Sequence, residues 1–262
     1  LRHPPSSGQN GCVVAMTTPS LWHDLRRFTP ARIALGRAGN GLPTSAHLAF
    51  QQAHAAARDA VHAALDIPAL QTGLPCASLV VHSACPDRAT YLARPDLGRR
   101  LLPTDRTRLT ENPSPSLALV ICDGLSALAV QRHAAPLATH LLGHFTPPII
   151  IATQGRVALG DDIGGALAAE AVLMLIGERP GLTAPDSLGA YLTWQPRVGR
   201  TDAERNCVSN IRPEGFPVPD AAKKLIWLIG QMRHLRLTGV SLKDEQTAIG
   251  AAPAPAPRLG SE

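Results

Sequence analysis

The chain has 262 residues, 45% hydrophobic and only 3% aromatic, so its core must be built from Ala, Leu, Val and Ile; the scattered rings offer no stacking platform for single-stranded nucleic acid. Its 25 Lys and Arg outnumber its 20 Asp and Glu by five, but no basic run exceeds two residues, which fits a solvated surface and not a polyanion site. Asp123 and Glu170 interrupt the apolar stretches before any reaches the ~18 residues of a membrane span.

In chain order, the opening "LRHPPSSGQNGCVVA" precedes Met16; if Met16 is the start, residues 1–15 are upstream sequence or a disordered leader. Nothing there has the order of a signal peptide, and the five cysteines (Cys12, Cys76, Cys85, Cys122, Cys207) are odd in number without a C-x-x-C, which together favour a reducing cytoplasm. Residues 16–75 are expected to be helical: "SLWHDLRRF" and "PTSAHLAFQQAHAAARDAVHAAL" carry Ala-rich spacing of period 3.6, with a helix start at Pro43 and Thr44. Between them lies the glycine-dense turn Gly36 to Pro43.

Beyond residue 75 the texture changes. "SLVVHS", "SLALVICDG", "PPIIIATQG" and "AVLMLIGERPG" are short apolar runs closed by Gly or a polar residue, with helix-forming segments such as "LSALAVQRHAAPLATHLL" and "DDIGGALAAEA" between them. This alternation predicts an α/β domain over residues 76–247, with a mainly parallel sheet flanked by helices. The Ala/Pro-rich residues 248–262 are expected to form a disordered tail.

In open sheets of this kind, ligands bind outside the carboxyl ends of the strands. His82 and Ser83, Asp123, Thr153 and Gln154, then Glu178 and Arg179 follow the apolar runs and would line that edge. Two readings stand for Glu178: a binding carboxylate, or a helix cap or partner of a neighbouring Arg. "GLSAL", Gly124 to Leu128, occupies the strand-to-helix position of a hydrolase nucleophile elbow, but Leu128 replaces its last glycine, which weakens the case for a Ser126 nucleophile. "GRAGNG" lacks the G-x-G-x-x-G order and opens the helical part, leaving an anion cradle or a plain turn. His54 and His62 are two helical turns apart with Arg58 between, too far to share a metal. Cys207, two residues after Arg205, is either a low-pKa thiol or a small buried side chain.

Taken in order, "FTPARIALGRAGNGLPT", "HSACPDRATYLARPDLGRRL", "VICDGLSALAV", "TQGRVALGDDIG", "LIGERPGL", "DSLGAYLTW" and "RTDAERNCVSNIRPEG" resemble the small (light) subunit family of ethanolamine ammonia-lyase, from about residue 20 to residue 245. The resemblance implies an adenosylcobalamin-dependent lyase that converts ethanolamine to acetaldehyde and ammonia. It implies a hetero-oligomer in which the large subunit's barrel holds substrate and radical chemistry while the small subunit covers the corrin. Carried onto this sequence, the cofactor contacts fall on Val157, Glu178 and Cys207, with no catalytic residue or metal ligand in this chain. Physics agrees at Glu178, since an ionised carboxylate is an acceptor-only partner for the amide donors on the corrin rim. The D-x-H-x-x-G signature of cobalt-ligating histidines does not occur, so by resemblance the cofactor keeps its own dimethylbenzimidazole as lower ligand. The complex is expected in the cytoplasm, either free or inside a bacterial microcompartment, and the lack of a long amphipathic leader after Met16 favours free. The alternatives are a stand-alone α/β hydrolase using Ser126 and a non-catalytic assembly protein.

Overall fold

The computed structural model describes residues 24–29, 31–111 and 114–246. The expected leader (1–15) and tail (248–262) lie outside them. The chain divides into two compact units at Gln51/Gln52, inside helix α1 (Thr44–His62).

In the first unit, the glycine-dense segment is a tight turn. Ala38 and Gly41 exchange backbone hydrogen bonds at 3.0 and 3.1 Å, and Gly39 supplies the positive φ of 60° at the tip.

The second unit is a six-stranded sheet in the order β1-β3-β2-β4-β5-β6, comprising β1 (Ser78–His82), β2 (Ala118–Cys122), β3 (Ile149–Thr153), β4 (Ala171–Gly177), β5 (Leu188–Trp194) and β6 (Arg205–Ile211). The four expected apolar runs are the four strands that pair in parallel, while β5 and β6 extend the sheet through antiparallel pairings. The α/β expectation thus holds, as a mixed sheet. β2 and β4 are buried along their whole length because both faces are covered, which is why they show no polar alternation.

Alternate residues of β4 divide between two cores. Ala171, Leu173 and Leu175 pack on one face with α2 (Ile67–Gly73), α5 (Ala127–Leu142) and α7 (Val218–Leu235). Val172, Met174 and Ile176 pack on the other with α4 (Pro103–Thr110) and α6 (Leu159–Ala166), and α3 (Arg88–Ala93) lies between β1 and α4 in the chain. The chain leaving β2 therefore enters α5 on one face, whereas the chain leaving the adjacent β3 enters α6 on the other. Two neighbouring parallel strands whose crossovers diverge in this way open a crevice beyond their carboxyl ends.

Candidate functional site

A cavity of about 360 Å³ occupies that crevice. Its walls come from the loop after β2 (Gly124, Leu125), the loop after β3 (Arg156, Val157), the end of β4 with Glu178 and Arg179, Tyr191 on β5, and Tyr91 on α3.

Glycines let these loops close on the sheet. Gly124 has φ 55°, and a Cβ there would run into the Gly177 carbonyl, which itself accepts a hydrogen bond from Leu125 N–H at 2.9 Å. A Cβ on Gly155 would lie 2.5 Å from Cys122 Sγ and 2.6 Å from Leu159 Cδ2. Larger residues at either place would lift the loops away from the strand ends.

Glu178 is half-buried at the exit of β4, and its carboxylate is held by neighbours. The Ser187 hydroxyl and the Asn210 backbone N–H (3.2 Å) both donate to Oε2. The Asn210 amide is free to do so because β6 carries a bulge: Leu188 pairs with Ile211 and Ala190 with Val208, so Gly189 alone faces both Ser209 and Asn210. The left-handed φ of 58° at Asn210 turns the backbone at that point. Oε1 lies over Gly189, where a Cβ would stand 2.8 Å from it. Among the described residues, Glu178 is thus neither a helix cap nor an arginine partner.

Register places Cys207 opposite Tyr191, itself opposite Met174, on the sheet face that carries Ile176. The exposed thiol faces the Tyr191 side chain across the strand pair, and partial desolvation there raises the pKa of both groups. The negative charge of Glu178 adds to the rise at Cys207. Cys207 is therefore neither the low-pKa thiol nor the small buried side chain expected from the sequence: its pKa is raised and it is exposed on the edge strand β6. Arg205 is spent on Asp161, at 2.8 Å with both side chains 2% exposed.

Of the three residues carried over by resemblance, Val157 and Glu178 line the cavity, and Cys207 stands one strand behind it, opposite Tyr191. Tyr91, Arg156, Tyr191 and Gly189 complete the site and were not singled out by sequence reasoning. The Tyr91 ring lies between two guanidinium groups, Arg156 at 4.3 Å and Arg88 at 4.7 Å from its centroid, and its hydroxyl donates to the Gly155 carbonyl at 3.1 Å. Behind it Arg88 donates to the Gly124 carbonyl at 2.8 Å and faces Asp123 at 3.5 Å. Burial pushes the Asp123 carboxyl up, partly offset by hydrogen bonds from the β3 loop and by Arg88. Of the other residues expected at the strand ends, His82 faces Asp105 at 3.2 Å, and Ser83 donates to the Gln154 carbonyl at 2.7 Å.

Ser126 is fully buried and caps α5. Its oxygen accepts from Ala129 N–H at 3.2 Å, and its hydroxyl donates to the Pro185 carbonyl at 2.8 Å, leaving no proton path to a base. His54 and His62 are both exposed on α1, and no group of three potential metal ligands occurs among the described residues.

Residues 19–243 match the ethanolamine ammonia-lyase light chain family. The chain belongs to that family. It is 56% identical over 242 residues to a protein of Azotobacter vinelandii named ethanolamine ammonia-lyase small subunit, covering 87% of this chain and 90% of that one. Identity to small subunits of the same name is 51% in Xanthomonas campestris (90% of this chain, 96% of the relative) and 50% in Pseudomonas aeruginosa (92% and 93%). In this light-chain member, no described helix is long and apolar enough to cross a membrane.

Proposed function

We propose that this chain is the small subunit of an adenosylcobalamin-dependent ethanolamine ammonia-lyase, and that the cavity at the β2–β3–β4 ends receives an edge of the corrinoid against a large-subunit partner. The observation that carries the reading is the convergence of Val157 and Glu178 on one cavity, with Cys207 opposite its wall residue Tyr191 on the next strand.

The residues present fit such a group. Leu125, Val157, Ile176 and the Tyr191 ring give apolar walls, and glycine backbone keeps the floor flat. Glu178 supplies one fixed acceptor, matched to a rim of neutral amide donors. A cavity of this size admits part of a macrocycle, which leaves the rest to a covering partner.

When bound, the cofactor would supply the radical chemistry that deaminates ethanolamine to acetaldehyde and ammonia. This chain's part would be to bind, orient and exclude water. Glu178, held by Ser187 and Asn210, would fix the corrinoid's rotation. Val157 and Tyr191 would pack against its apolar edge, with Cys207 standing behind Tyr191 on the next strand.

A cobalamin titration of the assembled complex tests the reading. Glu178→Ala removes a charge-assisted hydrogen bond of roughly 1.5–3 kcal/mol, or about a tenfold to hundredfold in cofactor affinity. The Michaelis constant for ethanolamine should stay near the wild-type value, and Glu178→Gln, which keeps an acceptor oxygen, should lose less. Wild-type cofactor affinity in Glu178→Ala would overturn the assignment.

A further inference from the structure

A second cavity, of about 450 Å³, shares Arg156 and Val157 with the first and is walled by four arginines: Arg99, Arg156, Arg200 and Arg205. Two of them are compensated. Arg205 is locked to buried Asp161 and donates to the Arg200 carbonyl at 2.9 Å. Arg200 pairs with Glu204 and donates to the carbonyls of Trp194 and Gln195, each at 3.1 Å. These two form a rigid wall.

The other two are different. Arg99 is exposed on the 3-10 turn Leu97–Arg99 and has no acidic partner among the described residues. Arg156 gives Nη2 to the Tyr91 carbonyl at 3.1 Å, while its Nε is buried without a partner, and no carboxylate neutralises it. The fold brings the pair together: Arg156 N–H donates to the Gly98 carbonyl at 2.7 Å, and a Cβ at 98 would be tight, 3.1 Å from Arg156 Cγ and 3.2 Å from the Gln154 carbonyl oxygen.

The positive end of α6 opens onto the same space. Its N-cap, Ala158, lines the cavity and provides no side-chain cap. The first-turn acids that could offset the dipole are engaged elsewhere, Asp161 with Arg205 and Asp162 with the Leu101 N–H at 2.8 Å and with Arg106. Asp202 is the one acid on the wall, its side chain 99% exposed and 3.5 Å from Arg205. An uncapped helix start beside two uncompensated guanidinium groups is suited to a phosphate.

We infer that this second cavity is a phosphate subsite in which Arg99 and Arg156 bind the anion. The phosphate has two sources: the phosphodiester in the nucleotide loop of cobalamin, which rests on the corrinoid reading above, or a free phosphate, which does not. The wall shared with the first cavity favours the cofactor's own phosphodiester.

The test uses the complex with the large subunit, titrated with hydroxocobalamin and with cobinamide, the same corrin without the phosphate-bearing loop. Arg99→Gln should weaken cobalamin about fivefold to tenfold and leave cobinamide unchanged, with partial recovery in Arg99→Lys. Because the Arg99 side chain makes no hydrogen bond or ion pair among the described residues, the melting temperature should not move. A calorimetric titration with inorganic phosphate, without cofactor, separates the sources. Phosphate binding lost in Arg99→Gln, with cobalamin and cobinamide held equally in both proteins, assigns the subsite to free phosphate. Wild-type binding of both cobalamin and phosphate in Arg99→Gln overturns the inference. If Glu178→Ala weakens both corrinoids while Arg99→Gln is silent, only the phosphate subsite falls. If Glu178→Ala is silent and phosphate binding depends on Arg99, only the corrinoid reading falls.

Discussion

A methyl group on residue 189 would stand 2.8 Å from Glu178 Oε1 and 3.1 Å from Tyr191 Cε2, so Gly189→Ala forces the carboxylate to move. The backbone there has no positive φ, which leaves this contact as the main effect of the substitution. Gly189→Ala should therefore lower cobalamin affinity toward the level of Glu178→Ala without touching a group that binds. A cobalamin titration beside a cofactor-free melt checks this, and an unchanged affinity would show that the position of the carboxylate does not matter. Ser126 predicts the opposite pattern, because its oxygen caps α5 and its hydroxyl serves a carbonyl. Ser126→Ala should cost about 1 kcal/mol of stability, a few degrees in Tm, and leave turnover of the assembled complex intact. Loss of turnover in a folded Ser126→Ala complex would return a chemical role to that hydroxyl.

Between β5 and β6, the 3-10 turn Asp202–Glu204 is held by a capping box: the Thr201 N–H donates to Glu204 Oε2 at 2.7 Å, and Glu204 also pairs with Arg200, which in turn donates to the last carbonyls of β5. The Thr201 backbone hydrogen bond first, and Arg200 second, lower the Glu204 pKa from 4.5 to about 2. Over that interval the unfolded chain binds more protons than the folded one, so the contribution of Glu204 is complete above about pH 4.5 and is lost as pH falls toward 2. Glu204→Gln should flatten this part of the acid limb in thermal melts recorded across that range, and an unaltered limb would deny the box a role. The elements themselves were unevenly legible. The four parallel strands announce themselves as continuous apolar runs; β2 and β4 do so because both of their faces are covered, whereas β1 is an edge strand that stays partly exposed. β6 (RNCVSNI) is an edge strand whose exposed residues break any apolar pattern, and β5 has a glycine at the position that must admit Glu178. α7 has the period-3.6 signal of Leu225, Leu228, Ile229 and Met232, and it stands outside the expected set. The strand-edge rule placed Glu178 at the site from pattern alone, whereas Val157 and Cys207 came by resemblance. Tyr91, Arg156 and Tyr191 meet only through pairings of strands and loops distant in sequence, which no local spacing encodes.

At the scale of the whole molecule, the groups gathered at the strand ends are suited to holding a ligand. No metal-ligand cluster occurs among the described residues, Ser126 is buried as a cap, and the pKa of the Cys207 thiol is raised, not lowered. The cavity at the strand ends is open to one side and is too small for a complete corrinoid. A radical formed there would meet solvent unless a second surface closed over it, and closure is what strengthens the polar contacts and suppresses side reactions. The proposed reading therefore expects a strict division of labour, in which this chain would position and cover while the large subunit would supply the substrate site. Acetaldehyde release from ethanolamine should be absent with this chain and cobalamin, absent with the large subunit and cobalamin, and restored when both are mixed. Titrating this chain into a fixed amount of large subunit should give activity that rises to a plateau, whose position measures the stoichiometry. Turnover by the purified single chain would overturn this division, and it would require a substrate site in the chain itself.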